Sequence, residues 1–145
     1  MAKKIRVVSA NTSALRKAIF EVRSKVFVQE QKVDEKLEYD AFETSSTHLA
    51  ALLDDKVVGT CRFRNTEKGV KLERFAVLKE YRGQAVGEHL VKHCLSMVKN
   101  EKYVYLNAQV PVVEFYAQFG FVQEGGLFVE AGIEHYKMVL KKITS

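Results

Sequence analysis

The chain has 145 residues, 47% hydrophobic and 28% charged, with a formal net charge of +5. That length suits one domain over residues 1–145, and no apolar run approaches the roughly 20 residues needed to cross a bilayer. The positive charge is spread along the chain with no interleaved aromatic stripe and no reading helix, so neither a nucleic-acid partner nor a membrane partner is expected. The opening Met-Ala-Lys-Lys-Ile-Arg lacks the apolar core and cleavage site of a secretory signal, which points to a cytoplasmic protein. Cys61 and Cys94 lack CxxC spacing and read as small core residues, and no metal site is expected.

In chain order, residues 5–9 read as a strand, and Asn11-Thr12-Ser13 as a helix cap. Leu15, Ile19, Val22 and Val26 then fall at helical spacing across 13–28. An acidic segment from Glu30 to Asp40 follows. Runs at 47–53 and 57–64, parted by Asp54-Asp55-Lys56, predict a hairpin, and a fourth strand is expected at 70–78. Val86, Leu90, Cys94 and Met97 give a second helix to about residue 99. Residues 103–108 are β-rich, Pro111 can open a short helix that Gly120 caps, and strands near 121–124 and 133–141 complete the chain. The order is β-α-β-β-β-α-β-α-β-β.

The most informative stretch is 72–87, Leu-Glu-Arg-Phe-Ala-Val-Leu-Lys-Glu-Tyr-Arg-Gly-Gln-Ala-Val-Gly. A strand runs into a turn of small residues and then directly into a helix, which aims backbone N–H groups and a positive helix end at an anion. A P-loop is absent, and the dinucleotide fingerprint fails because only Gly83 and Gly87 are glycines. What remains, Arg-Gly-x-Ala-Val-Gly, resembles the pyrophosphate-binding motif of the GNAT superfamily of acyl-CoA-dependent N-acetyltransferases. Phe-Tyr-x-x-Phe-Gly-Phe at 115–121 matches the same family's Tyr-x-x-x-Gly-Phe signature. A finer likeness, to the ElaA-like branch, lies in Val-Arg-x-x-Val-Phe-Val-x-Glu-Gln-x-Val at 22–33, in Glu38, Asp40, His48 and Ala108-Gln109, and in Gly132-Ile133-Glu134-His135.

The resemblance implies an α/β (α+β) GNAT fold, a mixed, mainly antiparallel sheet splayed between its fourth and fifth strands and flanked by helices. It implies acetyl-CoA as co-substrate. The backbone of Phe75, Ala76 and Val77 would hold pantetheine, the amides of Arg82, Gly83, Gln84, Ala85, Val86 and Gly87 the pyrophosphate, and Asn107 the pantetheine from the fifth strand. Ala85 departs from the usual glycine, which matters only if its φ is positive or the phosphate comes very close, at a cost on the order of 1 kcal/mol.

Acetyl transfer needs a free amine and a proton for the departing thiolate. A lysine-like amine is unprotonated in only roughly one molecule in 2,500 at pH 7, so an acceptor for its proton is required. Tyr116 takes the position of the family's usual general acid, although next to Phe115 and Phe119 it also reads as part of a buried aromatic face. Glu73 is the first candidate base, because a carboxylate in a central strand is uncommon unless paired; alternation puts it on one face with Phe75 and Val77, and Arg74 on the other. Glu30, Glu38, His135 or a water chain are the other possible bases. Glu30, Glu38, Asp40 and His135 are placed on the acceptor side, where the carboxylates of the Glu30 to Asp40 segment could draw a cationic amine or could equally form a solvated loop. His89 with His93, and His48 with Cys61, lack the arrangement of a metal pair or a nucleophilic dyad.

The expected function is transfer of acetyl from acetyl-CoA to a primary amine, on a small molecule or a peptide, by direct attack in a ternary complex. The alternatives are an amino-sugar acceptor of the glucosamine 6-phosphate type, or an acyl-CoA-binding regulatory module with little catalysis. A monomer or homodimer is expected.

Overall fold

The computed structural model describes residues 4–141; the opening Met-Ala-Lys, part of the segment read for a leader, lies outside them. The strands are β1 (Ile5–Ser9), β2 (Thr47–Leu53), β3 (Lys56–Asn65), β4 (Val70–Val77), β5 (Val104–Gln109), β6 (Phe121–Glu130) and β7 (Ile133–Leu140). They form a seven-stranded sheet in the order β1-β2-β3-β4-β5-β7-β6. The helices are α1 (Ser13–Arg23), α2 (Glu35–Glu38), α3 (Val86–Met97) and α4 (Val113–Ala117). No helix among the described residues is long and apolar enough to cross a membrane.

The elements fall where the residue pattern puts them, with three departures. Thr12 caps α1 by accepting from the Leu15 amide, but the helix continues from Ser24 to Glu30 with π-type winding. The acidic segment contains a single helical turn, α2, capped by Asp34, where the Lys36 amide meets Oδ1 at 2.9 Å. β6 runs to Glu130 rather than stopping near 124, because the Gly125-Gly126 irregularity interrupts its register with β7 without ending the strand. The β2–β3 turn has Asp54 and Asp55 at φ +50° and +65°, the backbone of a tight two-residue hairpin.

One pairing positions the cleft. β4 and β5 are parallel and joined only at Val70, Lys71 and Leu72, opposite Val104, Tyr105 and Leu106; beyond these they part. All the other pairings are antiparallel. The main core lies between the sheet and α3, with Leu49, Val58, Leu72, Leu90, Val91 and Leu106 buried together. The opposite face is covered by α1 and the π-wound segment over Val22, Val26, Phe27, Ala76 and Leu78.

Within β4, Arg74 has φ +58° and the register with β3 slips between Thr60 and Arg62. Arg74 and Phe75 together stand opposite Cys61, which makes a β-bulge and resets the alternation. Phe75 and Val77 therefore join Leu72 on the α3 face, whereas Ala76 and Leu78 pack on the other. The expectation that Glu73 shares a face with Phe75 and Val77 is thus overturned: it lies across the sheet from them.

Candidate active site

A cleft of about 1110 Å³ opens where β4 and β5 part. Its lining includes Phe75, Ala76 and Val77 on β4, Asn107 and Gln109 on β5, Arg82 to Gly87 apart from Gln84, and Tyr116 on α4. The strand ends, the small-residue turn and the aromatic helix thus come together around one hollow. Glu38, Asp40, Glu73 and His135 also line it; Glu30 does not.

The turn before α3 has the geometry of an anion cradle. Gly83 has φ +80°, and a Cβ there would meet nothing within 4 Å, so the space over the turn is open. Ala85 is the N-cap of α3 at φ +67°, the left-handed region where a methyl group is strained, so the departure from glycine does fall at a position that favours glycine. The first helical hydrogen bond of α3 is His89 N–H to Ala85 O at 3.1 Å, which leaves the amides of Val86, Gly87 and Glu88 free of helical partners. A Cβ on Gly87 would come within 3.4 Å of Phe115. Arg82 makes a two-pronged pair with Glu30, at 2.6 and 2.7 Å, and gives Nε–H to Val77 O at 3.0 Å. That pair holds the Glu30 carboxyl below its ordinary range. Glu30 therefore pairs with the turn before α3 and does not line the cleft on whose acceptor side the sequence placed it.

Tyr116 is buried among Phe75, Phe115 and Phe121, whose ring centroids lie 5.5, 5.2 and 6.2 Å away, all edge-on. Burial, with the Cys61 and Cys94 thiols nearby, pushes its phenol well above the usual range, so the hydroxyl stays a proton donor. Asn107 sits three residues beyond the first joined pair of β5, just past the point of parting.

The acidic residues are neutralised rather than free. Arg23, almost fully buried, donates to Glu38 at 2.6 Å and to Glu43 at 2.8 and 2.9 Å. Arg62, equally buried, reaches Asp40 at 2.7 and 2.9 Å, Glu43 at 2.8 Å and Glu73 at 2.6 Å. Glu73 also accepts from Arg64 at 2.8 Å and faces Lys71 at 3.3 Å. Burial alone would raise the Glu73 carboxyl, but the surrounding cations outweigh it and hold it low. Asp40 is likewise brought down to about 2 against the pull of burial, by hydrogen bonds from Arg62 and the Phe42 amide. At Glu38 burial prevails and the carboxyl is raised despite Arg23 and Arg74. Glu38 and Asp40 are thus counter-charges of the buried arginines and not free carboxylates that could draw in a cationic amine.

His135 is positioned differently. Its Nδ1 is 2.7 Å from the Ile133 carbonyl, which can only accept, so in the neutral ring this nitrogen carries the proton and Nε2 the lone pair. Nε2 is 3.9 Å from Glu130, and the ring stacks on Phe128. Across the parting strands, Gln31 and Gln109 exchange hydrogen bonds of 2.9 and 3.4 Å, tying the π-wound segment to β5.

Sequence reasoning gave no role to Arg23, Glu43, Arg62 or this glutamine pair, although Arg23, Gln31 and Gln109 stand in the motifs that carry the resemblance. Two signals were present. Arg23 occupies a core position of the α1 stripe, four after Ile19, and Arg62 stands inside an otherwise apolar strand, where a charge calls for a buried partner.

A sheet splayed at one parallel pair, an amide-rich turn ahead of a helix and a buried tyrosine across the cleft define the acyl-CoA-binding class of acyltransferase folds. The comparisons specify the family: residues 10–142 match the model of the acetyltransferase (GNAT) domain. The chain belongs to the GNAT acetyltransferase family. It is 36% identical over 136 residues to the uncharacterized N-acetyltransferase YjcF of Bacillus subtilis (strain 168), covering 92% of this chain and 96% of that one. Protein ElaA of Escherichia coli (strain K12) is 29% identical over 133 residues, 87% of each chain. The crystal structure of E. coli ElaA superposes with a TM-score of 0.83 at 24% identity, over 96% of this chain and 99% of that one.

Proposed function

We propose that this chain transfers the acetyl group of acetyl-CoA to a primary amine by direct attack within a ternary complex. The observation that carries this reading is the convergence of the amide cradle at 82–87, the free β4 edge and Tyr116 on one cleft. The amides of the turn and the first turn of α3 hold the pyrophosphate, the β4 backbone at Phe75 to Val77 and Asn107 hold the pantetheine, and the bound thioester supplies an activated acetyl group.

Tyr116 gives its proton to the departing sulfur. His135 Nε2 takes the proton of the amine, either directly or through a water, because the ring lines the cleft and its other nitrogen is held by the Ile133 carbonyl. Glu73 fits that role less well, since its oxygens are shared by Arg62, Arg64 and Lys71. Direct attack is favoured over an acyl-enzyme route because the described lining contains no cysteine or serine, and burial keeps Cys61 a thiol.

Initial rates measured over a grid of acetyl-CoA and amine concentrations test this directly. Intersecting double-reciprocal lines, with an acetylated amine detected by mass spectrometry, are the expected result. Parallel lines, or an acetylated protein residue able to pass its acetyl group on, would contradict it.

A further inference from the structure

The cations around the cleft are of two kinds. Arg23 and Arg62 are almost fully buried and spend their donors on contacts of 2.6 to 2.9 Å. Arg64, Lys71 and Arg74 line the cleft and are not saturated. Arg64 gives Nε–H to Glu73 at 2.8 Å and lies 3.8 Å over the Phe42 ring, which leaves both Nη groups without a hydrogen-bond partner among the described residues. Lys71 Nζ has a single contact, at 3.3 Å. Every contact of Arg74 is 3.3 or 3.4 Å.

A guanidinium offers five N–H donors in a planar fork that fits two oxygens of one anion, and an ammonium offers three donors. Donors held partly out of water without a partner are costly, and an anion in the cleft relieves that cost. The charges agree. In this network five cations (Arg23, Arg62, Arg64, Lys71 and Arg74) face four carboxylates (Glu38, Asp40, Glu43 and Glu73), which leaves one positive charge uncompensated. Arg64 and Lys71 are register partners on β3 and β4, so their free donors lie side by side. On the other wall of the cleft Glu130 faces His135. One wall thus suits an anion and the other an amine.

We infer that the acceptor is a primary amine carrying its own anionic group, a carboxylate or a phosphate, with the amine towards His135 and the anion on Arg64 and Lys71. This rests on the reading of the cleft as an acetyl-transfer site. An amine of the same size without the anionic group lacks a partner for those donors and is a poorer substrate.

The test uses matched pairs that differ in the anion: β-alanine against β-alaninamide for the carboxylate, and glucosamine 6-phosphate against glucosamine for the phosphate. The member carrying the anion should have the higher kcat/KM in at least one pair, by about tenfold or more, and the pair that responds tells carboxylate from phosphate. In Arg64→Gln and in Lys71→Met the advantage should shrink, chiefly through a raised KM for the member carrying the anion, and Arg64→Lys should recover part of the loss. Equal kcat/KM for both members of both pairs overturns the inference.

If no pair is acetylated, the CoA-loaded protein is titrated with N-acetyl-β-alanine and N-acetyl-β-alaninamide, and with N-acetylglucosamine 6-phosphate and N-acetylglucosamine, while the Arg64 Nε–H resonance is followed by NMR. A shift with a charged product alone supports the inference, and no shift, or equal shifts within both pairs, overturns it. Failure of acetyl-CoA itself to bind is a separate result that removes the acetyl-transfer reading.

Discussion

Arg62 Nη2 lies 2.6 Å from Glu73 Oε2, and Arg62 Nε lies 2.8 Å from the same oxygen. Arg62 is fully buried, and this contact joins β3 to β4 one residue before the bulge at Arg74. An arginine in that position cannot shed its charge, so its stability rests on the carboxylates around it. Glu73 is therefore first a counter-ion for Arg62, and its carboxyl is held below the range in which a base accepts protons near neutrality.

Glu73→Gln should consequently damage stability more than chemistry. Breaking a buried pair from one side costs about 3 kcal/mol, and Asp40 and Glu43 still partner Arg62, so the variant should fold with a lowered melting temperature. Its pH–rate profile should run parallel to wild type. His135→Asn should instead lower the rate by about a hundredfold near neutral pH, with the loss shrinking as pH approaches the amine's own pKa. The opposite pattern would return the base to Glu73.

Tyr116→Phe keeps the ring within the cluster of Phe75, Phe115 and Phe121 and removes only the hydroxyl. CoA affinity and melting temperature should be nearly unchanged, while kcat falls by roughly ten- to a hundredfold, since a thiolate is a good leaving group. Single-turnover kinetics read this directly, and a variant as fast as wild type in that assay removes Tyr116 from the chemistry.

Ala85 is held at φ +67° by the turn, and glycine meets no such penalty. Ala85→Gly should raise the stability of the ligand-free protein by about 0.5 to 1 kcal/mol, a few degrees of melting temperature in a chain of this size. CoA affinity should change by less than about threefold, because the backbone already has the binding conformation. A lowered melting temperature would show that the left-handed turn is not the stable state without ligand.

Asp40 gives the acid response its sign. Its carboxyl is depressed to about 2 from an ordinary 3.8, so its contribution is complete above about 4 and is lost as pH falls towards 2. Glu43 and Glu73, also lowered, act in the same direction. Glu38 acts oppositely, because burial raises its carboxyl and protonation relieves that burial. Urea midpoints should therefore fall between pH 4 and 2, with a shallower slope in Asp40→Asn. An unchanged slope would show that Asp40 is not the titrating group.

Most of the strands and the turn before α3 were legible in the sequence because each is marked locally. Asp54-Asp55 requires a tight hairpin, Thr12 caps a helix, and Gly83 and Gly87 flank a turn that opens directly into α3. The bulge at Arg74 was not legible, because arginine carries no preference for positive φ; the conformation is imposed by the pairing of β4 with β3. For the same reason Glu73 was assigned the wrong face. The acidic segment read either as a substrate funnel or as a solvated loop because the partners of Glu38 and Asp40, namely Arg23, Arg62 and Arg74, lie 15 to 36 residues away along the chain, and separations of that kind leave no periodic trace.

The reading of the cleft stands or falls on whether it holds coenzyme A. Thermal unfolding should be followed with acetyl-CoA and with desulfo-CoA, in wild type and in Gly83→Trp. A ligand present at a hundred times its dissociation constant adds about 2.7 kcal/mol of apparent stability, so both ligands should raise the wild-type melting temperature by several degrees. Gly83→Trp, whose new side chain projects from a backbone at φ +80° into the open space over the turn, should fold and respond far less. Absence of any shift in wild type with either ligand at millimolar concentration would contradict the proposed acetyl-CoA site.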